Sequence, residues 1–137
     1  MEPESGGRAK FVRHKGVEII INDCSGLVGL ELMEAMKENT KTIIPKIIGR
    51  KDCVIVNLFR NCHLDQDSLK YMTKLQKTMD GTFVASANVG MSVAQKAAIE
   101  ITDSLKSTHF AFRFFDSQEE AMDWAAEECN KLGRPPR

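Results

Sequence analysis

The residues best equipped for chemistry crowd into 57-NLFRNCHLDQDSL-69, which holds Arg60, Asn61, Cys62, His63, Asp67 and Ser68. A cysteine beside a histidine suggests a thiolate nucleophile with an imidazole base. Adjacent residues rarely face each other as a dyad must, and no third group at a recognisable spacing orients His63. Cys62 is therefore expected to be a partly exposed thiol and His63 a surface imidazole. Cys24, within Asp-Cys-Ser-Gly, is expected to be a small apolar filler. Asp67 or Ser68 is suited to cap a following helix, because such side chains accept from the free N–H groups of a first turn. Phosphate at a helix start is also electrostatically favourable, which makes Ser68 a candidate phosphosite.

Other chemistries lack their residues. Lys plus Arg and Asp plus Glu each number 19, so the formal charge is zero and the basic excess of a nucleic-acid binder is absent. The four cysteines are widely spaced, with no CxxC pair or Cys/His comb, so neither a metal nor a cofactor is expected. No apolar run approaches the roughly 18 residues of a membrane span. The start, MEPESGGRAK, lacks the apolar core of a secretory signal, and a cytoplasmic location is expected. The 137 residues suit one domain, placed at 9–132 between flexible tails at 1–8 and 133–137.

The elements that must position these residues alternate along the chain. FVRHKGVEIIIND reads as a β-hairpin turning at Gly16. The stretch from Ser25 to Gly49 has helical spacing, with Leu32 and Met36 on one patch and Ile43, Ile44, Ile47 and Ile48 on another. Pro45 predicts a kink, or a break with a new turn near Thr40 or Thr42. CVIVNLF (53–59) is a β-branched run of the kind buried on both faces of a sheet. Leu69, Met72, Leu75 and Met79 then share a helical face, and TFVASANV (82–89) is the next strand.

Ser92 and Gln95 form a capping box opening a helix with Val93, Ala97, Ile101 and Leu105 on its apolar side and Lys96, Glu100 and Asp103 in solvent. HFAFRFF (109–115) is the last strand, its apolar face led by Phe110, Phe112 and Phe114. Asp116 with Glu119, or Ser117 with Glu120, caps the final helix, whose Trp124 is expected in the core. The order β-β-α-β-α-β-α-β-α predicts a small mixed, mostly parallel α/β sheet of about five strands with an amino-terminal hairpin.

In such sheets ligands settle outside the carboxyl ends of the strands. Those ends supply Asn22, Asp23, Cys24 and Ser25; Arg60, Asn61, Cys62 and His63; Asn88, Gly90 and Ser92; then Asp116 and Ser117. Gly90 and Ser92 could present N–H groups to an anion, with Arg60 adding charge.

HKGVEIIINDCSGL, VIVNLF, SANVGMSVAQKAAIEIT and FRFFDSQEEAMDWAAEE, in this order, resemble the SpoIIAA-like proteins of the STAS fold, named from sulphate transporters and anti-sigma factor antagonists. The resemblance runs from about Phe11 to about Glu128. It implies a non-enzymatic regulatory role, with the loop after the third strand and its helix as the interaction face. Antagonists of that fold carry Asp-Ser-Ser-Gly-Leu there, its serine phosphorylated by a partner kinase. Asp67, Ser68 and Leu69 match part of that motif, and the second Ser and the Gly are absent.

Two readings of the edge follow. A protein-interaction module, its partner a regulatory protein or kinase, requires an exposed apolar patch beside Leu64 and Leu69. A carrier or sensor of a small anionic or amphipathic ligand requires a concavity at the strand ends, with Arg60 or the Gly90–Ser92 amides pointing in. Oligomeric state is not encoded in any feature of the sequence.

Overall fold

The computed structural model describes residues 8–100 and 110–133. Strands β1 (Ala9–His14) and β2 (Val17–Asp23) form the antiparallel hairpin, in a register that sets Val12 opposite Ile19. Lys15 and Gly16 both hold positive φ (51° and 79°), the two-residue turn whose twist matches that of the strands. The chain continues as α1 (Gly29–Ile47), β3 (Cys53–Leu58), α2 (Gln66–Thr78), β4 (Phe83–Val89), α3 (Val93–Glu100), β5 (Ala111–Phe115) and α4 (Gln118–Gly133). One five-stranded sheet results, ordered β1-β2-β3-β4-β5, with β2 to β5 parallel. The predicted fold class and element order are both present.

Period-2 alternation sends neighbouring residues to opposite faces. On one face Ile19, Ile21, Val54, Val56, Ala85 and Ala87 pack with Ala121, Trp124 and Ala125 of α4. Trp124 is core, as expected. On the other face Ile20 and Ile55 meet Ile43 and Ile47 of α1. Phe59 there joins Leu32, Met36, Met72 and Ile99 from α1, α2 and α3. Strand β3 is buried along its length except at half-buried Leu58, as its β-branched run predicts. His14 Nε2 and Lys15 Nζ reach Asp123 Oδ1 at 2.7 and 3.0 Å, tying the hairpin to α4.

Three helical expectations change. Pro45 does not break α1, which is one helix through Ile47. Ile43 and Ile47, four residues apart and both buried, hold the last turn in the core, and packing outweighs the lost N–H bond. In α2 the deepest stripe is Ser68, Met72, Thr73 and Gln76, whereas Leu69, Leu75 and Met79 are half-buried. In α3, Val93 and Ala97 are exposed and Ile99 is the buried residue. Ile101, Asp103 and Leu105 lie outside the described residues, as do 1–7 and 134–137 of the expected tails. Arg8, at the end of the first expected tail, donates to the Ser25 carbonyl at 3.1 Å.

Candidate functional site

The loops at the carboxyl edge are laced together by backbone bonds. Cys24 N–H donates to the Leu58 carbonyl and Gly26 N–H to that of Arg60, both at 2.9 Å. Phe59 N–H donates to Val89 O at 2.9 Å and Gly90 N–H to Phe115 O at 3.1 Å. Gly90 (φ 83°) is required here twice over, since a Cβ would also lie 2.8 Å from the Arg60 Cα. Asn61 (φ 59°) turns the chain within a tight turn that Cys62 N–H closes onto Phe59 O at 3.1 Å. Asparagine tolerates that conformation better than most residues.

Beneath these loops runs a ladder of amides. Asn39 of α1 donates to Asn22 Oδ1 at 2.7 Å, Asn22 to Asn57 Oδ1 at 2.9 Å, and Asn57 to Asn88 Oδ1 at 3.1 Å. Asn88 ends the chain on the Ser86 and Arg113 carbonyls, both at 3.4 Å. Parallel register makes this possible, because Asn22, Asn57 and Asn88 stand side by side on β2, β3 and β4. Asn39, Asn57 and Asn88 are buried, where a donor–acceptor chain in low dielectric is strong and a broken one costly. Sequence reasoning placed Asn88 at the strand ends, as a residue available to a ligand. The overlooked signal was an asparagine at the end of three successive apolar runs.

The start of α2 corrects the expected cap. Asp65 is the N-cap, its Oδ1 accepting from Ser68 N–H at 2.8 Å. Buried Leu64 before it and Leu69 after the first turn share an apolar cluster, a hydrophobic staple that fixes the entry of the helix. Asp67 sits exposed in the first turn. Ser68 is 1% exposed, and its hydroxyl lies 2.9 Å from Asp65 Oδ1 and 3.1 Å from Asp65 O.

The Ser68 N–H and hydroxyl hold the Asp65 carboxyl below its ordinary 3.8. A lowered carboxylate value means stability that is full above about pH 4 and lost as pH falls through the lowered value. Asp65→Ala is thus expected to lower the melting temperature by roughly a few degrees at pH 7 and by less near pH 2, with Asp67→Ala almost silent. Thermal scans at the two pH values check this.

Cys62 does not face a base. Its thiol donates to the Cys24 carbonyl at 2.6 Å, and burial pushes its pKa up, which favours the unreactive protonated form. Cys24 is pushed up to about 12, chiefly by burial, and fills the core as expected. His63 is exposed, on a segment bridged to Val28. The Ser92–Gln95 capping box forms as predicted, with Ser92 N–H donating to Gln95 Oε1 at 3.0 Å and Gln95 N–H to Ser92 Oγ at 3.2 Å. Gln95 Nε2 also donates to the Cys62 carbonyl at 3.3 Å, which ties α3 to the neighbouring loop. The Gly90 and Ser92 amides thus bond within the protein, and the Arg60 guanidinium donates to Asp116 O at 2.9 Å. An anion at this edge would have to displace those partners.

Among its exposed polar groups the edge also presents apolar side chains. Val28 is 51% exposed, Leu30 75% and Val93 83%. The first two start α1 after β2 and the third starts α3 after β4, the two strands that flank β3. The exposed apolar residues therefore lie to either side of the His63 loop, while Leu64 is buried and Leu69 half-buried. Among the described residues no group of three or more His, Cys, Asp or Glu could hold a metal ion. None of the described helices is long and apolar enough to cross a membrane.

The same architecture occurs in a crystal structure of an uncharacterized DUF3478-family protein with a SpoIIAA-like fold from Shewanella loihica PV-4. The two align with a TM-score of 0.62 over 85% of this chain and 91% of the other, at 18% identity. The fold is SpoIIAA-like. No family model and no curated protein matches the sequence. The loop after β3 of this SpoIIAA-like domain is the one singled out from sequence, and the Asp65 cap and the amide ladder fix its position.

Proposed function

We infer that this SpoIIAA-like domain is a non-enzymatic, cytoplasmic regulatory module that docks a protein partner on the carboxyl edge of its sheet. The observation that carries this reading is the exposure of Val28, Leu30 and Val93 at that edge. Single exposed apolar side chains are ordinary, whereas several gathered around one loop gain free energy when another surface covers them. The polar groups beneath them are internally bonded, so the loops need not rearrange to receive a partner. Arg60, Asn61 and His63 are exposed between the apolar residues and would contribute polar contacts at the rim. Small-anion binding at the same edge is less favoured, because Gly90 and Ser92 have spent their N–H groups.

A photo-cross-linking residue placed at Leu30 or at Val93 in the source cells tests the reading. The expected outcome is one and the same protein captured from both positions and not from Lys15 in the hairpin turn. Capture from neither edge position, or equal capture from Lys15, would overturn it.

A further inference from the structure

The buried stripe of α2 holds one polar side chain that the fold leaves unused. Gln76 is 6% exposed, and neither its Nε2 nor its Oε1 has a hydrogen-bond partner. It lines a cavity of about 40 Å³ between α1, α2 and the sheet. Asn22, Asn57 and Thr40 are the other polar residues of the lining, but the two amides are committed to the ladder and the Thr40 hydroxyl to the Met36 carbonyl and Tyr71. Met36, Met72, Met79, Ile43, Ile55 and Phe83 supply apolar wall. Gln76 therefore leaves an unpaired donor and acceptor buried beside a space that is otherwise mostly apolar, an arrangement that destabilises the empty protein.

The lining selects a chemical class. It contains no Lys, Arg, His, Asp or Glu, so a carboxylate or phosphate entering would lose its hydration without gaining a counter-charge. A primary amide offers both donors and an acceptor, and is matched by a head group that offers both in return. Methionine walls adapt to varied apolar bodies. At about 40 Å³ the cavity suits little more than ordered water, which needs roughly 10–15 Å³. A larger occupant requires one wall to yield.

Of the walls, the second half of α1 has the weaker backbone ladder, although Ile43 and Ile47 pack it against the sheet. Pro45 removes a helix hydrogen bond there, and Thr40 and Thr42 turn their hydroxyls back onto the Met36 and Glu38 carbonyls at 2.8 and 3.2 Å. Such back-bonding bends helices. Thr40, Ile43 and Ile44 on this segment all line the cavity.

We propose that this cavity binds a small uncharged amphipathic molecule, its primary-amide or hydroxyl head paired with Gln76 and its apolar tail among the methionines. The site lies on the face of the sheet covered by α1 and α2, apart from the edge proposed for docking, and stands independently of that proposal. Hexanamide, 1-hexanol and sodium hexanoate are the probes, titrated at pH 7 into the full 15N-labelled chain. The Gln76 side-chain NH2 signal and the melting temperature are the readouts.

Hexanamide and hexanol are expected to shift that signal and raise the melting temperature, and hexanoate to do neither. Gln76→Met, which removes the unpaired amide, is expected to melt higher than wild type and to bind hexanamide roughly tenfold more weakly. A Gln76 signal unmoved by hexanamide and hexanol would mean water occupancy only and would overturn the proposal. Equal binding of hexanoate, or unchanged hexanamide affinity in Gln76→Met, would overturn it too.

Discussion

Asn57→Leu is expected to destabilise the domain by about 3–5 kcal/mol, because it removes the middle of the amide ladder and strands both neighbours. Asn22 Nδ2 loses its 2.9 Å acceptor, and Asn88 Oδ1 and Ser86 Oγ lose a donor at 3.1 and 3.2 Å. Asn57 and Asn88 are buried, and water cannot replace the missing partners there without opening the sheet. Leucine is close to asparagine in size, so the loss is one of hydrogen bonding more than of packing. Urea unfolding measures it. A double-mutant cycle with Asn88→Leu is expected to show coupling, since the second change removes the acceptor that the first had stranded. A cost below about 1 kcal/mol would mean that the ladder is not a cooperative unit.

Ser68→Asp is expected to cost about 3 kcal/mol or more, against about 1 kcal/mol for Ser68→Ala. The alanine variant loses only the hydroxyl bonds to Asp65. The aspartate puts a second carboxylate in a site 1% exposed, close to the Asp65 carboxylate that now accepts from the hydroxyl at 2.9 Å. Burial and like charge raise the folded pKa of the new acid above its unfolded value, so the deficit narrows as pH falls through that window. Denaturant midpoints at pH 7 and pH 4.5 test both magnitude and sign. A kinase acting on Ser68 would need the first turn of α2 to open, and the Asp65 cap governs that opening. Full stability of Ser68→Asp would show that the turn opens freely.

Hydrophobic periodicity carried most of the fold. The two strand-like runs of β1 and β2, the β-branched run of β3 and the Ser92–Gln95 and Ser117–Glu120 signatures set the element order before any coordinates. What it could not carry was depth. Pro45 has a local cost that Ile43 and Ile47 override only through tertiary packing. Val93 and Ala97 repeat at helical spacing, yet the bond from Gln95 to the Cys62 carbonyl holds α3 in a rotation that leaves them outside.

The site followed the same logic. The loop after β3 was legible because strand ends and turn residues mark it. Its cap was misplaced because Asp65, Asp67 and Ser68 are all competent acceptors, and only the burial of Leu64 selects Asp65. Gln76 gave no signal, since a glutamine on a helix reads as solvent-facing until its neighbours on the stripe are known to be buried.

The proposed docking surface is tested most directly by the affinity of the partner captured from Leu30 and Val93 for the Leu30→Asp/Val93→Asp double variant. Both side chains are largely exposed, so the melting temperature is expected to stay at the wild-type value. The expected result is a loss of affinity of roughly a hundredfold or more, from charge placed at two apolar anchors. Unchanged affinity in a variant of unchanged stability would contradict docking at this edge.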